Sequence, residues 1–221
     1  RVLFRSRRWS GQLLRAMGIT LQVEGQPHAG GKLFVSNHVS WLDIVAINAT
    51  HPARFVSEAE VGQWPIVGRL VDAAETLYLV REKRRDAMRV LGLMSAALKQ
   101  GDTVAVFPEG TTGSGQGVLH FHANLLQGAI DANAPVQPVA LSFADRATGQ
   151  TSFAPIYVGD DTLMRSLWRT LGAKGIGESG TIGATPAIHN AVIDAVAHLG
   201  VRHIDMPCTA QRVWQAIASA N

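Results

Sequence analysis

An α/β sandwich with a mostly parallel or mixed sheet is the fold class that this 221-residue sequence predicts. Three observations predict it. Short runs rich in β-branched and aromatic residues alternate with helical stretches along the chain, as in folds that layer helices on a sheet. Hydrophobic residues make up 47% of the chain, and the length is enough to bury a sizeable core. The polar clusters most able to do chemistry follow directly on strand-like runs, where open α/β sheets carry their ligands.

The elements follow in order. Residues 3–17 read as a basic amphipathic helix. "TLQVEG" is a short strand, "HAGGK" a turn and "KLFVSN" a stronger strand. "SWLDIVAINA" reads as a helix with Ser40 as its N-cap. "ARFVSEAEV" and "ETLYLVR" are strand-like, with "GQWPIVGRL" between them. From Asp86 the pattern is helical: Met88, Leu91, Met94, Ser95 and Leu98 fall on one side, and Gly101 is a natural stop. "TVAVF" is a short buried strand running into Pro108, and "FHANLLQGAIDAN" is helical. "APVQPVALSF" is a strand in which Pro135 and Pro138 limit hydrogen bonding, which predicts an irregular or near-edge position.

Charge is uneven although the formal net charge is only +3. The first 20 residues hold Arg1, Arg5, Arg7, Arg8 and Arg15 and no acid. With Val2, Leu3, Phe4, Trp9, Leu13, Leu14, Met17 and Ile19 they form either a solvated basic helix or a segment suited to anionic headgroups. No nucleic-acid-binding motif or aromatic–basic interleaving follows, so a nucleic-acid partner is not expected. No run approaches the roughly 20 apolar residues of a membrane-spanning helix. The single cysteine, Cys208, has no internal disulfide partner, which fits a reducing compartment.

The first chemical cluster is "NHVSWLD". Five residues apart on an ideal helix is about 140° of rotation, so His38 and Asp43 would not share one helical face. They converge if His38 lies in the strand-to-helix loop and Asp43 in the first helical turns. A carboxylate on one imidazole nitrogen fixes the tautomer and leaves the other nitrogen for proton transfer. Taken alone, the pair is a weak signal and reads first as a structural hydrogen bond. Ser40 invites a Ser/His/Asp reading, but the G-x-S-x-G elbow is absent. His120 and His122 lack a third ligand at zinc spacing, so no metal is expected. The second cluster, "FPEGTTGSGQG", presents Glu109 ahead of small residues able to point backbone N–H groups at an anion; it lacks the lysine of a Walker loop. The third is Arg81 at the end of "ETLYLVR", suited to a bidentate phosphate contact or to plain surface exposure.

Together the blocks "NHVSWLD", "TLYLVR", "FPEGTT" and "VQPVAL", in that order, resemble the glycerolipid acyltransferases of the 1-acylglycerol-3-phosphate acyltransferase type, over roughly residues 8–172. The resemblance implies a mixed sheet flanked by helices and an O-acyltransferase activity. His38 would be the general base toward the acceptor hydroxyl, with Asp43 orienting it. Asn37 belongs to the same block; Arg81 would hold the acceptor phosphate; Glu109, Gly110 and Thr111 would shape the acceptor site; Pro138 would border the acyl channel. The implied partners are acyl-CoA or acyl-carrier protein, a lysophospholipid and a membrane surface, with no cofactor. The implied location is the cytoplasmic face of the inner membrane, peripheral or monotopic, reached through the basic segment 1–20.

The chain departs from the family pattern at charged positions. Glu75 stands where glycine is frequent, Glu58 and His122 where lysine is frequent, and Thr112–Gly113 where arginine and serine are frequent. Each departure lowers positive charge near the expected phosphate, which admits a phosphate-free acceptor such as a lyso-ornithine lipid. From about residue 173 the sequence instead resembles the C-terminal end of the large subunit of molybdenum hydroxylases of the aerobic carbon monoxide dehydrogenase type. Glu178 matches that family's metal-adjacent glutamate, but with the rest of that subunit absent it is given no catalytic role. The expected organisation is an acyltransferase domain over 1–172 and a foreign-looking α/β appendage over 173–221. In the appendage, Thr185 and Pro186 open a helix, "VRHID" is a strand, and Thr209 caps a last helix. The acyltransferase sheet is normally completed by a further strand here, and whether "GTIGA" supplies it is open. Two readings of another class remain beside the enzyme: an inactive lipid-binding module and a molybdenum-hydroxylase fragment.

Overall fold

The computed structural model of the chain describes residues 2–58, 76–79, 84–173, 176–182, 215 and 218–219. Among them a seven-stranded sheet has the order β1-β7-β6-β2-β5-β3-β4. The strands are β1 (Thr20–Glu24), β2 (Lys32–Ser36), β3 (Arg54–Glu58), β4 (Leu77–Leu79), β5 (Thr103–Val106), β6 (Val136–Asp145) and β7 (Ile176–Ile182). The helices are α1 (Val2–Ala16), α2 (Leu42–Thr50), α3 (Arg84–Lys99), α4 (Gln127–Ala132) and α5 (Leu163–Gly172). All strand pairs are parallel except β6–β7.

The helices cover both faces. On one side Met94, Leu98 and Val90 of α3 and Ala129 of α4 pack on Leu33, Val35, Val104 and Val106. On the other, Leu14 of α1, the body of α2 and Leu163 and Leu167 of α5 pack with Phe34, Phe55, Val139 and Leu141. A strand covered on both faces carries a continuous apolar run, which is why "KLFVS" and "TVAV" show no alternation and are buried at every position. No described helix is long and apolar enough to cross a membrane.

Four details differ from the sequence reading. β6 is neither irregular nor at an edge: it lies between β2 and β7. Among the described residues Pro138 is paired on its β2 flank, opposite Val35, and the described pairing with β7 runs from Val139 onward. Met88 is exposed, and Val90 and Ala97 join Met94 and Leu98 on the buried face of α3. Helix α2 starts one residue later than expected, with Trp41 at its N-cap, while the Ser40 hydroxyl accepts from the Leu42 N–H at 3.3 Å. "FHANLLQGAIDAN" divides into a 3-10 turn (Ala123–Leu126) and the short α4, closed by Asn133 in the left-handed region at φ 52°.

The segment beyond Gly172 enters the same sheet. β7, "IGESGTI", pairs with β1 along Gly177–Thr181 and with β6 along Ile176–Ile182. The expected helix from Thr185, the "VRHID" strand and Cys208 lie outside the described residues, as does "GQWPIVGRL"; of the helix expected from Thr209, Gln215, Ala218 and Ser219 are described and are helical.

Candidate active site

Neighbouring parallel strands deliver their following loops to the same end of a sheet. β2 and β5 pair in parallel with Val35 opposite Val106. Asn37–His38 and Phe107–Glu109 therefore leave the sheet side by side, and the first two sequence clusters meet. His38 Nδ1 lies 2.8 Å from Asp43 Oδ2. His38 stays in the loop and Asp43 sits in the first turn of α2, the arrangement that resolves their awkward spacing. Asp43 is fully buried, and the same Oδ2 accepts from the backbone N–H groups of Val39 at 2.7 Å and Ser40 at 2.9 Å. A carboxylate tied to two backbone donors cannot swing away, so the imidazole is held at one angle. Phe107 stacks on the His38 ring at 4.0 Å between centroids and 13° between planes, fixing it from the side. Nδ1 is thus engaged, and among the described residues Nε2 meets no partner. Ser40 is buried and spends its hydroxyl on Leu42, which removes it as a nucleophile.

Glu109 braces the loop. One carboxylate oxygen accepts from the His38 N–H at 2.7 Å and the other from the Leu119 N–H at 2.8 Å. Burial pushes its carboxyl up from the ordinary range, against the opposing pull of those two N–H groups. The Gly113 N–H adds a 2.7 Å bond to the His38 carbonyl, and the Tyr157 N–H a 3.0 Å bond to the Val39 carbonyl. Gly110 turns the chain after Glu109 at φ 69°, a conformation open to glycine and costly to most other residues.

Asn37 anchors the other flank. The β2–β6 ladder ends at Ser36–Val139. Beyond it the Asn37 carboxamide donates to the Leu141 carbonyl at 2.9 Å and accepts from the Leu141 N–H at 2.8 Å. The side chain continues the ladder that the backbone abandons in order to form the loop.

Of the expected site residues, His38, Asp43, Asn37, Glu109 and Gly110 come together at this end of the sheet. Thr111 follows as an exposed residue of the same loop, and Pro138 is buried in β6 opposite Val35. Arg81 lies outside the described residues. The carboxylate of Glu109 and the carboxamide of Asn37 are occupied by the backbone, so both act on the geometry of the loop. Sequence reading did not find the stacking role of Phe107, the Gly113 clamp or the Tyr157 clamp. Phe107 leaves a signal as an aromatic immediately before P-E-G; the two clamps act through backbone N–H groups and leave none. Among the described residues no group of three or more His, Cys, Asp or Glu forms a metal site.

A histidine held by a buried aspartate at the end of neighbouring parallel strands is an arrangement able to pass a proton between bound groups. The acyltransferase family model matches residues 19–142, more than half of the chain, and the chain belongs to that family. A 1-acyl-sn-glycerol-3-phosphate acyltransferase of Neisseria meningitidis serogroup B is 41% identical over 165 residues, covering 73% of this chain and 64% of the relative. A lyso-ornithine lipid O-acyltransferase of Pseudomonas aeruginosa is 32% identical over 207 residues, covering 94% of this chain and 75% of the relative. The chain thus spans just under two thirds of the length of the Neisseria relative. The crystal structure of the 1-acyl-sn-glycerophosphate acyltransferase from Thermotoga maritima shares the fold, with a TM-score of 0.58 and 21% identity over 92% of this chain and 81% of that one. A carbon monoxide dehydrogenase large chain of Hydrogenophaga pseudoflava is 43% identical over 67 residues, 30% of this chain and 8% of that one, which fits the resemblance of the tail.

Proposed function

We propose that the chain is an O-acyltransferase that moves a fatty acyl group from acyl-CoA or acyl-carrier protein to the free hydroxyl of a lysophospholipid, 1-acylglycerol-3-phosphate first, giving phosphatidate. The observation that carries the proposal is the 2.8 Å His38–Asp43 contact with Nε2 unengaged. In the proposed step Nε2 takes the proton of the acceptor hydroxyl as its oxygen attacks the thioester carbonyl. Asp43 stabilises the imidazolium so formed. The tetrahedral adduct collapses, the C–S bond breaks, and the departing sulfur takes the proton from His38. The products are an ester and a free thiol, and no acyl-enzyme forms. Arg81 is assigned to the acceptor phosphate. Gly110 and Thr111 line the acceptor side, Pro138 borders the acyl chain, and Glu109 and Asn37 hold the loop to which His38 belongs. No cofactor is needed for this step.

A lyso-ornithine lipid is the second acceptor. Thr112, Gly113 and His122 favour it by leaving the loop after Glu109 without a lysine or arginine. The enzyme is placed at the cytoplasmic face of the inner membrane, with α1 against the headgroups. Residues 1–172 are assigned to catalysis, together with β7 as a supporting strand.

The test is acyl transfer by the purified chain with lysophosphatidate and, separately, lyso-ornithine lipid, each offered acyl-CoA and acyl-carrier protein thioesters. The wild type transfers to at least one acceptor. His38→Ala loses roughly 10²–10⁴-fold in rate. An unchanged rate in that variant removes the proposed base.

A further inference from the structure

We propose that α5 is a membrane-docking element that seats the catalytic loop on an anionic lipid bilayer through Met164, Trp168 and Leu171. The proposal rests on the acyltransferase reading, because that reading places the substrate in a bilayer.

Helix α5 has two apolar faces, and the core uses only one. Leu163 and Leu167 pack on the core, and Ser166 and Thr170 are buried. The Ser166 hydroxyl accepts from the Trp41 indole N–H at 3.3 Å, which ties α5 to the turn ahead of α2. The other face carries Met164, Trp168 and Leu171, spaced four and three residues apart as one helical stripe. They are 56%, 68% and 45% exposed. Phe153 and Val158, 53% and 38% exposed, extend the patch into the loop ahead of α5. Arg169 pins that loop by donating to the carbonyls of Ala154 and Ile156 and to Asp161, so the extension is held in place.

The chemistry of the patch selects a lipid surface. A large exposed tryptophan among aliphatic side chains suits the headgroup–acyl boundary, where the ring is apolar and its N–H stays hydrated. Arg165 on α5 is exposed and complements anionic headgroups, while the charge of Arg169 is paired with Asp161. Helix α1, with Arg7, Arg8 and Arg15 exposed, packs on the same face of the sheet. The patch is also continuous with the site. A surface cavity of about 350 Å³ is lined by Phe153, Ile156 and Val158 together with Ser114 and Gln116 of the loop after Glu109, with the Asp161–Arg169 ion pair at its wall. The neighbouring Tyr157 N–H holds Val39, next to His38. A lipid leaving the bilayer at this patch arrives beside the catalytic loop.

The experiment uses the full chain and the double variant Trp168→Glu/Leu171→Glu. Binding is measured on phosphatidylglycerol–phosphatidylethanolamine vesicles, and acyl transfer is measured with acceptor in vesicles and in detergent micelles. The variant is expected to lose about tenfold or more in vesicle binding and a similar factor in vesicle turnover, with its micelle rate and circular dichroism unchanged. Vesicle binding equal to wild type overturns the proposal. So does a wild-type dimer in solution that the variant converts to a monomer, since the stripe is then a contact between two copies. Stripe-dependent vesicle binding by a chain that transfers no acyl group in micelles upholds the docking face and removes the acyltransferase reading instead.

Discussion

The centre of the sheet and its β1–β7 edge are built by different rules. In the centre, β2, β5 and β6 are apolar strands whose side chains interlock with helices on both faces, and the loops that leave them carry His38 and Glu109. At the edge, β1 is mostly exposed, and β7 is a glycine- and serine-containing stretch whose sequence resembles another family altogether. The centre specifies its occupants by side-chain shape. The edge position next to β6 is specified by backbone hydrogen bonds, which any extended segment can supply. A sheet can therefore accept an unrelated sequence as a strand without disturbing chemistry that depends on the interior.

The difference can be broken first at the dyad. Asp43→Asn removes the charge that holds the imidazolium and presents an N–H₂ or carbonyl where three donors converge. Acyl transfer is expected to fall by roughly 10²-fold or more, measured beside thermal unfolding to separate chemistry from folding. At the edge, Gly180→Pro sits in mid-β7 opposite both Val23 and Leu141. It removes a ladder hydrogen bond and should cost about 1–3 kcal/mol of stability, while the acyl-transfer rate per folded molecule stays near wild type. A rate loss matching that of Asp43→Asn would mean that the edge is part of the catalytic machinery.

Asn37→Ala probes the join between the two regions. It strands the Leu141 N–H and carbonyl, at about 1–3 kcal/mol for a buried group left unpaired, and it loosens His38. Both stability and rate should drop, and a rate loss without a stability loss would assign Asn37 to substrate. The smallest effect is a pH slope. Glu109 has a raised pKa in the folded chain, so the folded state keeps its proton longer than the unfolded one. Stability contributed by this group is present below the unfolded value of 4.5, declines as pH rises through the raised folded value, and is lost above it. Glu109→Gln should flatten that part of a denaturation-versus-pH curve.

How much the sequence disclosed follows the same division. The central strands were legible because burial on both faces writes a continuous apolar run. The dyad was legible because two side chains with distinct chemistry must both be spelled out. Met88 was misjudged since helical periodicity marks a stripe without saying where the partner layer ends. β6 was expected near an edge because proline advertises a missing donor but does not say whether its strand lies inside the sheet. The bracing role of Glu109 and the ladder-like role of Asn37 depend on backbone partners at Leu119 and Leu141, which no residue type announces. The insertion of β7 between β1 and β6 was open for the same reason.

The pairing of β1 with β7 has a consequence for how the chain comes into being. The partner of Thr20 is Gly177, about 150 residues downstream. At about 5–20 residues per second of synthesis, β1 waits on the order of ten seconds for the strand that will fix it, long after α1 has left the ribosome. During that interval the arginine-rich helix at the front is restrained only by what has already been made. On the proposed acyltransferase reading, a nascent chain in that state can meet a membrane before its sheet is finished, and β7 then joins a fold already at the surface.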